Sequence, residues 1–161
     1  MSSKPKSAAA QAAALKRLRA LSHLLDNSIP IPGVGRIGLD PILGLLPGGG
    51  DLFSGLISAY IVIEGARLGA PAASLTRMAF NILLEVFVGS APILGDLFDA
   101  AWKANAKNVE LIEAHVQNPQ PSRPANPGFV LLLVAGLLAV IIGVIALALR
   151  LLSWTLGGLG Q

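Results

Sequence analysis

Residues 129–149 form a run of twenty-one positions without a charged or strongly polar side chain. No other feature limits the fold so tightly. As a helix rising about 1.5 Å per residue, the run is roughly 31 Å long and matches the hydrocarbon core of a bilayer. Fifteen of its residues are Leu, Ile, Val or Phe. Each favours insertion by roughly 0.3–0.6 kcal/mol near the helix centre. Arg150 closes the run, and Trp154 stands where an interfacial aromatic belongs. A transmembrane helix over 129–150 with a short tail at 151–161 is the reading.

Composition supports it. The chain is 53% hydrophobic and only 13% charged, whereas an ordinary soluble domain has about 25% charged residues. Disorder needs the opposite balance. With no Cys there is no disulfide frame and no thiol nucleophile, and two His do not make a zinc site. No catalytic residue, metal site or cofactor is therefore expected. His23 and His115 read as solvated. Net charge is only +3 and no aromatics interleave the basic residues, so nucleic acid is not an expected partner. Residues 1–14 lack the apolar stretch of a secretory signal. Eleven of the twelve Lys and Arg precede the apolar run. The positive-inside rule then sets the N-terminal part in the cytoplasm, at the cytoplasmic membrane.

Residues 1–27 read as a disordered start and a basic amphipathic helix, with Leu15, Leu18, Leu21 and Leu25 on one side and Lys16, Arg17, Arg19 and His23 on the other. Such a helix either lies on anionic lipid or packs on its own domain. Residues 118–128 hold four prolines and read as a stiff linker between a domain at 28–117 and the span.

Within 28–117 the chain repeats itself with an offset of 45 residues. Asp40, Gly44, Pro47 and the four-residue Gly50-Asp51-Leu52-Phe53 recur as Glu85, Gly89, Pro92 and Gly95-Asp96-Leu97-Phe98. Each unit reads as an apolar helix, a Pro/Gly break and a second helix opened by the Asp. Residues 52–63 and 78–84 are too short to cross a membrane singly. Broken or re-entrant helices are expected, ahead of a compact domain on the membrane surface. A helix over 96–116 is expected to carry Val109 and Ile112 inward and to pair Asp99 with Lys103.

The stretch from Asp26-Asn-Ser-Ile-Pro to Asp40, with Gly44-Leu-Leu-Pro47 and Gly50-Asp51, resembles the bacterial domain of unknown function 4112. Arg77-Met78, Asn81, Pro92-Ile-Leu-Gly-Asp96 and Trp102-Lys-Ala-Asn105 carry the likeness onward, over residues 20–115. The resemblance implies a membrane-associated helical protein and supplies no activity, substrate or catalytic residue.

The acids at the repeat breaks are the candidate site residues. Asp51 and Asp96 read as N-caps, and Asp40 before Pro41 has the N-cap and N1 signature. Glu85 resists this, because residues 81–88 look like a helix interior; it needs a partner, with Asn81 as a bridge or Arg36 as the cation. As two pairs, Asp40 with Asp51 and Glu85 with Asp96, these carboxylates would also suit an ion or proton path. The glycines at 33, 35 and 38 match a dinucleotide fingerprint, but residues 28–32 before them, with two prolines, cannot be a central strand. Residues 47–50 lack the Lys and Ser/Thr of a phosphate loop.

Two stripes of small residues, Ser54-Gly55-Ser58-Ala59-Ala66 and Ala135-Ala139-Gly143, read as close-packing faces. Because a lone span has few partners within its chain, the second points to a homo-oligomer. The expected whole is an all-α membrane protein with two helix-break-helix repeats and a C-terminal span. Its expected role is that of a non-catalytic oligomeric structural or interaction module in the lipid bilayer. The alternative is a small oligomeric channel or transporter that uses the four acids.

Overall fold

The computed structural model describes residues 7–27, 29–31, 35–37, 49–89, 102–119 and 123–158. Among these the chain forms five helices: α1 (Ala8–Asn27), α2 (Gly49–Arg67), α3 (Ala72–Gly89), α4 (Ala104–Gln117) and α5 (Pro127–Gly158). A two-stranded antiparallel hairpin, β1 (Ile29–Ile31) and β2 (Gly35–Ile37), pairs Ile29 with Ile37 and Ile31 with Gly35. Pro30 is admissible in β1 because a strand with one neighbour leaves half its N–H groups outside the ladder. Gly35 lies in a strand and not at a helix opening, so the context of the dinucleotide fingerprint is missing.

Local signals start the helices. Ser7 Oγ accepts from the Ala10 N–H at 3.3 Å and caps α1. Asn126 Oδ1 accepts from the Gly128 N–H at 2.8 Å and caps α5, with Pro127 as its first residue. Between α2 and α3, Gly69 has φ +91. The Ala70 N–H reaches the Gly65 carbonyl and the Gly69 N–H reaches that of Ala66, the two bonds of a Schellman ending. Pro71 then starts α3, its carbonyl accepting from Ser74 and Leu75.

The side-chain contacts order the bundle. α4 runs antiparallel to α1, where Arg19 pairs with Glu113, and to α3, where Asn81 meets Asn108. It runs parallel to α2, whose Gly65 faces Ile112. Leu18, Ile61, Leu75, Met78, Ile82 and Ile112 fill the core. α1 therefore buries Leu18 and Leu25 in its own domain, the second of its two expected placements, and keeps Lys16, Arg17 and Arg19 exposed.

α2 opens at Gly49, within the break expected at 47–50, and α3 ends at Gly89, ahead of the break expected at 92–95, which lies outside the described residues. Two expectations change. Lys103, with φ −119 and ψ 84, is not helical, so the helix expected from 96 begins at Ala104. Its equivalent 45 residues earlier, Ser58, is in the middle of α2. Residues 90–101 lie outside those described, with Asp96, Asp99 and the expected Asp99–Lys103 pair. Finally, α5 does not stand alone. The Ala125 N–H bonds to the Ala70 carbonyl at 3.3 Å, and Leu137 and Ile141 are buried against the bundle. A Cβ on Gly55 would stand 3.1 Å from Ile141 Cδ1, so Gly55 of the first small-residue stripe is a seat for α5.

α5 is 32 residues long and reaches past Arg150 and Trp154, roughly 48 Å of helix. Among the described residues it alone is long and apolar enough to cross a membrane, over Pro127–Thr155, with a mean hydropathy of 3.2 in its most apolar 18 residues.

Candidate functional site

A helix begins with N–H groups that lack intrahelical partners. α4 begins inside the bundle, and Lys103 supplies no side-chain cap. Two carboxylates from other helices take that role. Glu85 Oε1, near the end of α3, accepts from the Ala104 N–H at 3.3 Å. Asp26 Oδ2, at the end of α1, accepts from the Ala106 N–H at 2.7 Å. Both also place negative charge at the positive end of the α4 dipole.

The network extends across the bundle. Asn105 Nδ2 donates to Asp26 Oδ1 at 2.9 Å, and Ser58 Oγ of α2 donates to Asn105 Oδ1 at 2.7 Å. One turn along, Asn108 Nδ2 donates to the Met78 carbonyl at 3.1 Å and accepts from Asn81 Nδ2 at 2.9 Å. Trp102 Nε1 donates to the Asn81 carbonyl, and Lys107 Nζ lies 4.4 Å from the Trp102 ring centre, a cation–π distance. Asn105 and Asn108 are wholly buried and Asp26 is 7% exposed. Burial pushes the Asp26 carboxyl above its ordinary range, opposed by its bonds to Asn105 and Ala106 and by the charge of Lys103. Such a carboxylate depends on its donors.

These contacts answer the question left by Glu85. Its partner is the head of α4, and Asn81 turns its amide to Asn108. Arg36 as a partner falls outside the described side chains. Asp51 lies in the first turn of α2, its third residue and not its cap; its side chain is outside the description, as are Asp40 and Asp96. Of the four candidate acids, only Glu85 is seen at its task. Among the described residues no group of His, Asp and Glu could hold a metal ion.

The residues that matter most here were not among the candidate site residues. Asn105, Asn108 and Ile112 share one face of α4, and two amides on an apolar face were the available signal. Beside the network, between α3 and α4, opens a groove of about 700 Å³ lined by Arg77, Phe80, Asn81, Lys107, Glu110 and Leu111. Arg77 is exposed in it.

If Glu85 serves as a cap, Glu85→Gln keeps the oxygen acceptor and should cost well under ~1 kcal/mol, whereas Glu85→Ala should cost about 1. Denaturant unfolding of both variants checks this. Equal losses would separate Glu85 from the α4 N-terminus.

Asp26, Asn81, Trp102 and Asn105, four of the residues on which the family resemblance rests, thus meet in space. Nothing among curated proteins and nothing among solved structures matches the chain. A family model does, over residues 14–116, which spans α1 to α4 and leaves α5 outside. The chain belongs to the family defined by the domain of unknown function DUF4112.

Proposed function

We propose that this protein is an integral membrane protein of the cytoplasmic membrane. Its helical domain acts on the cytoplasmic side as a non-catalytic interaction module, and the copies self-associate through α5. The observation that carries the reading is the two-sidedness of α5. Leu137 and Ile141 dock it on the bundle, while Ala135, Ala139 and Gly143 are exposed on the other side. A Cβ built on Gly143 meets nothing within 4 Å. In lipid, a stripe of small residues lets two backbones approach closely. The buried polar network supports a structural role for the acids, since Glu85 and Asp26 are both engaged in holding α4.

Ala139→Leu and Gly143→Leu should each shift the protein in detergent toward monomer, because bulk on this stripe blocks backbone approach. Light scattering coupled to size exclusion reads the mass. Unchanged mass in both variants would overturn association through α5. For topology, a reporter fused after Gln161 should be extracytoplasmic and one before Met1 cytoplasmic. Both on the same side would contradict a single crossing.

A further inference from the structure

We infer that the end of the α2–α3 hairpin remote from its turn is inserted in lipid, so that acyl chains cover Leu52, Phe53, Leu56 and Phe80. The inference rests on reading α5 as a membrane helix and extends it to the domain.

The first support is level. Ala125, just before α5, bonds to Ala70 at the hairpin turn, and Ile141 sits on Gly55. α5 therefore runs antiparallel to α2, in contact from the turn to within a few residues of Gly49. A helix immersed in a bilayer takes with it whatever is packed along its side. The hairpin shares the depth of the α5 residues that hold it, with Leu137 and Ile141 buried between them.

The second support is the change in exposed side chains along the hairpin. Near the turn these are Arg67, Thr76 and Arg77. Away from it they are Leu52, Phe53 and Leu56 on α2, at 37%, 53% and 50% exposure, and Phe80 on α3 at 61%. From Arg67 to Leu56 is eleven residues, about 16 Å of helix and near half the hydrocarbon thickness of ~30 Å. The arginines then fall at the headgroups of one leaflet, where anionic phosphates attract them. In water the same four side chains would stand as exposed large apolar surface.

The third support is where the exposed charge of α1 stands. Arg19 pairs with Glu113, next to the Ile112 that faces Gly65, so Lys16, Arg17 and Arg19 lie near the level of the hairpin turn, with Arg67. Exposed charge at the turn end and apolar exposure at the other end orient the hairpin with its turn toward water.

The chain has no Cys, so single cysteines report cleanly. Phe53→Cys, Leu56→Cys, Phe80→Cys, Leu147→Cys and Arg17→Cys are labelled with an environment-sensitive fluorophore in the full chain. The protein is reconstituted in vesicles of phosphatidylcholine and phosphatidylglycerol. Labels at 53 and 56 should be quenched by lipids spin-labelled deep on the acyl chain, and the label at 147, near the far end of the apolar run, by spin-labelled lipid and not by iodide. The label at 80 should respond more to shallow spin labels, and the label at 17 to aqueous iodide. Iodide quenching at 53 and 56 as strong as at 17, with 147 still shielded, would overturn the insertion and leave α5 as a membrane helix. Labels at 53 and 56 shielded from both iodide and lipid would mean that a second copy covers the patch, which also overturns it. Iodide access at 147 itself would overturn the membrane reading of α5 and the insertion together.

Discussion

Asn105→Ala is expected to destabilise the fold by about 3 kcal/mol or more at neutral pH. Asn105 is fully buried, and its side chain joins α4 to α1 through Asp26 and to α2 through Ser58. Truncation leaves a buried hydroxyl without its acceptor and a buried carboxylate short of a donor, each costing the full desolvation of that group. The pH dependence identifies the carboxylate. The Asn105 bond lowers the Asp26 pKa against the upward push of burial, so its removal raises the folded-state value further. A group with a raised folded pKa stabilises at low pH and loses that contribution as pH rises through the folded value. The deficit of Asn105→Ala should therefore grow on going from acid to neutral pH. Denaturant titrations across that window measure it. Combined with Asp26→Ala, the loss should be well below the sum of the two single losses, because neither partner is then stranded. A deficit independent of pH, with additive losses, would show that Asp26 and Asn105 do not act as a pair.

Gly55→Leu has the second large expected effect. A single Cβ here already stands 3.1 Å from two carbons of Ile141, tighter than ordinary contact. A full leucine must push α5 off α2, and overpacking of this kind costs about 1–3 kcal/mol. Ile141→Ala alone should cost about 2–5 kcal/mol as a cavity. Together the two changes should partly cancel, since the new side chain refills the space that Ile141 leaves. Unfolding of the two single variants and the double variant in detergent reads the coupling. Losses that simply add would place the contact of α5 elsewhere.

Several elements were legible because their causes lie within a few residues. The leucine spacing from 15 to 25 marks one face of α1, and the uninterrupted apolar run marks α5. The Asn126-Pro127 start of α5 and the Schellman ending at Gly69 are local signals too, since a cap acts on N–H groups two or three residues away. The linker reading of 118–128 passed over the first, and the second was not read. The break before α4 was missed. Residues 102–105 have no strong helix breaker, and the repeat suggested continuity where Lys103 departs from helical geometry.

Partners are a different matter. Asp26 and Asn105 lie 79 positions apart, and Glu85 meets the head of α4 across 19. Glu85 inside an apolar helix signalled that a partner must exist, because a buried carboxylate needs a donor. The donor is a backbone N–H, which every residue but proline possesses, so composition could not point to it. The docking of α5 was equally unreadable, since its apolar residues run all around the helix and mark no face for α2. Propensity, spacing and hydrophobicity along the chain mark the helix of residues 15–25 and the helix that suits a bilayer. The tertiary structure alone decided which carboxylates hold α4 and which face of α5 is occupied, because those choices rest on shape and hydrogen bonds between distant segments.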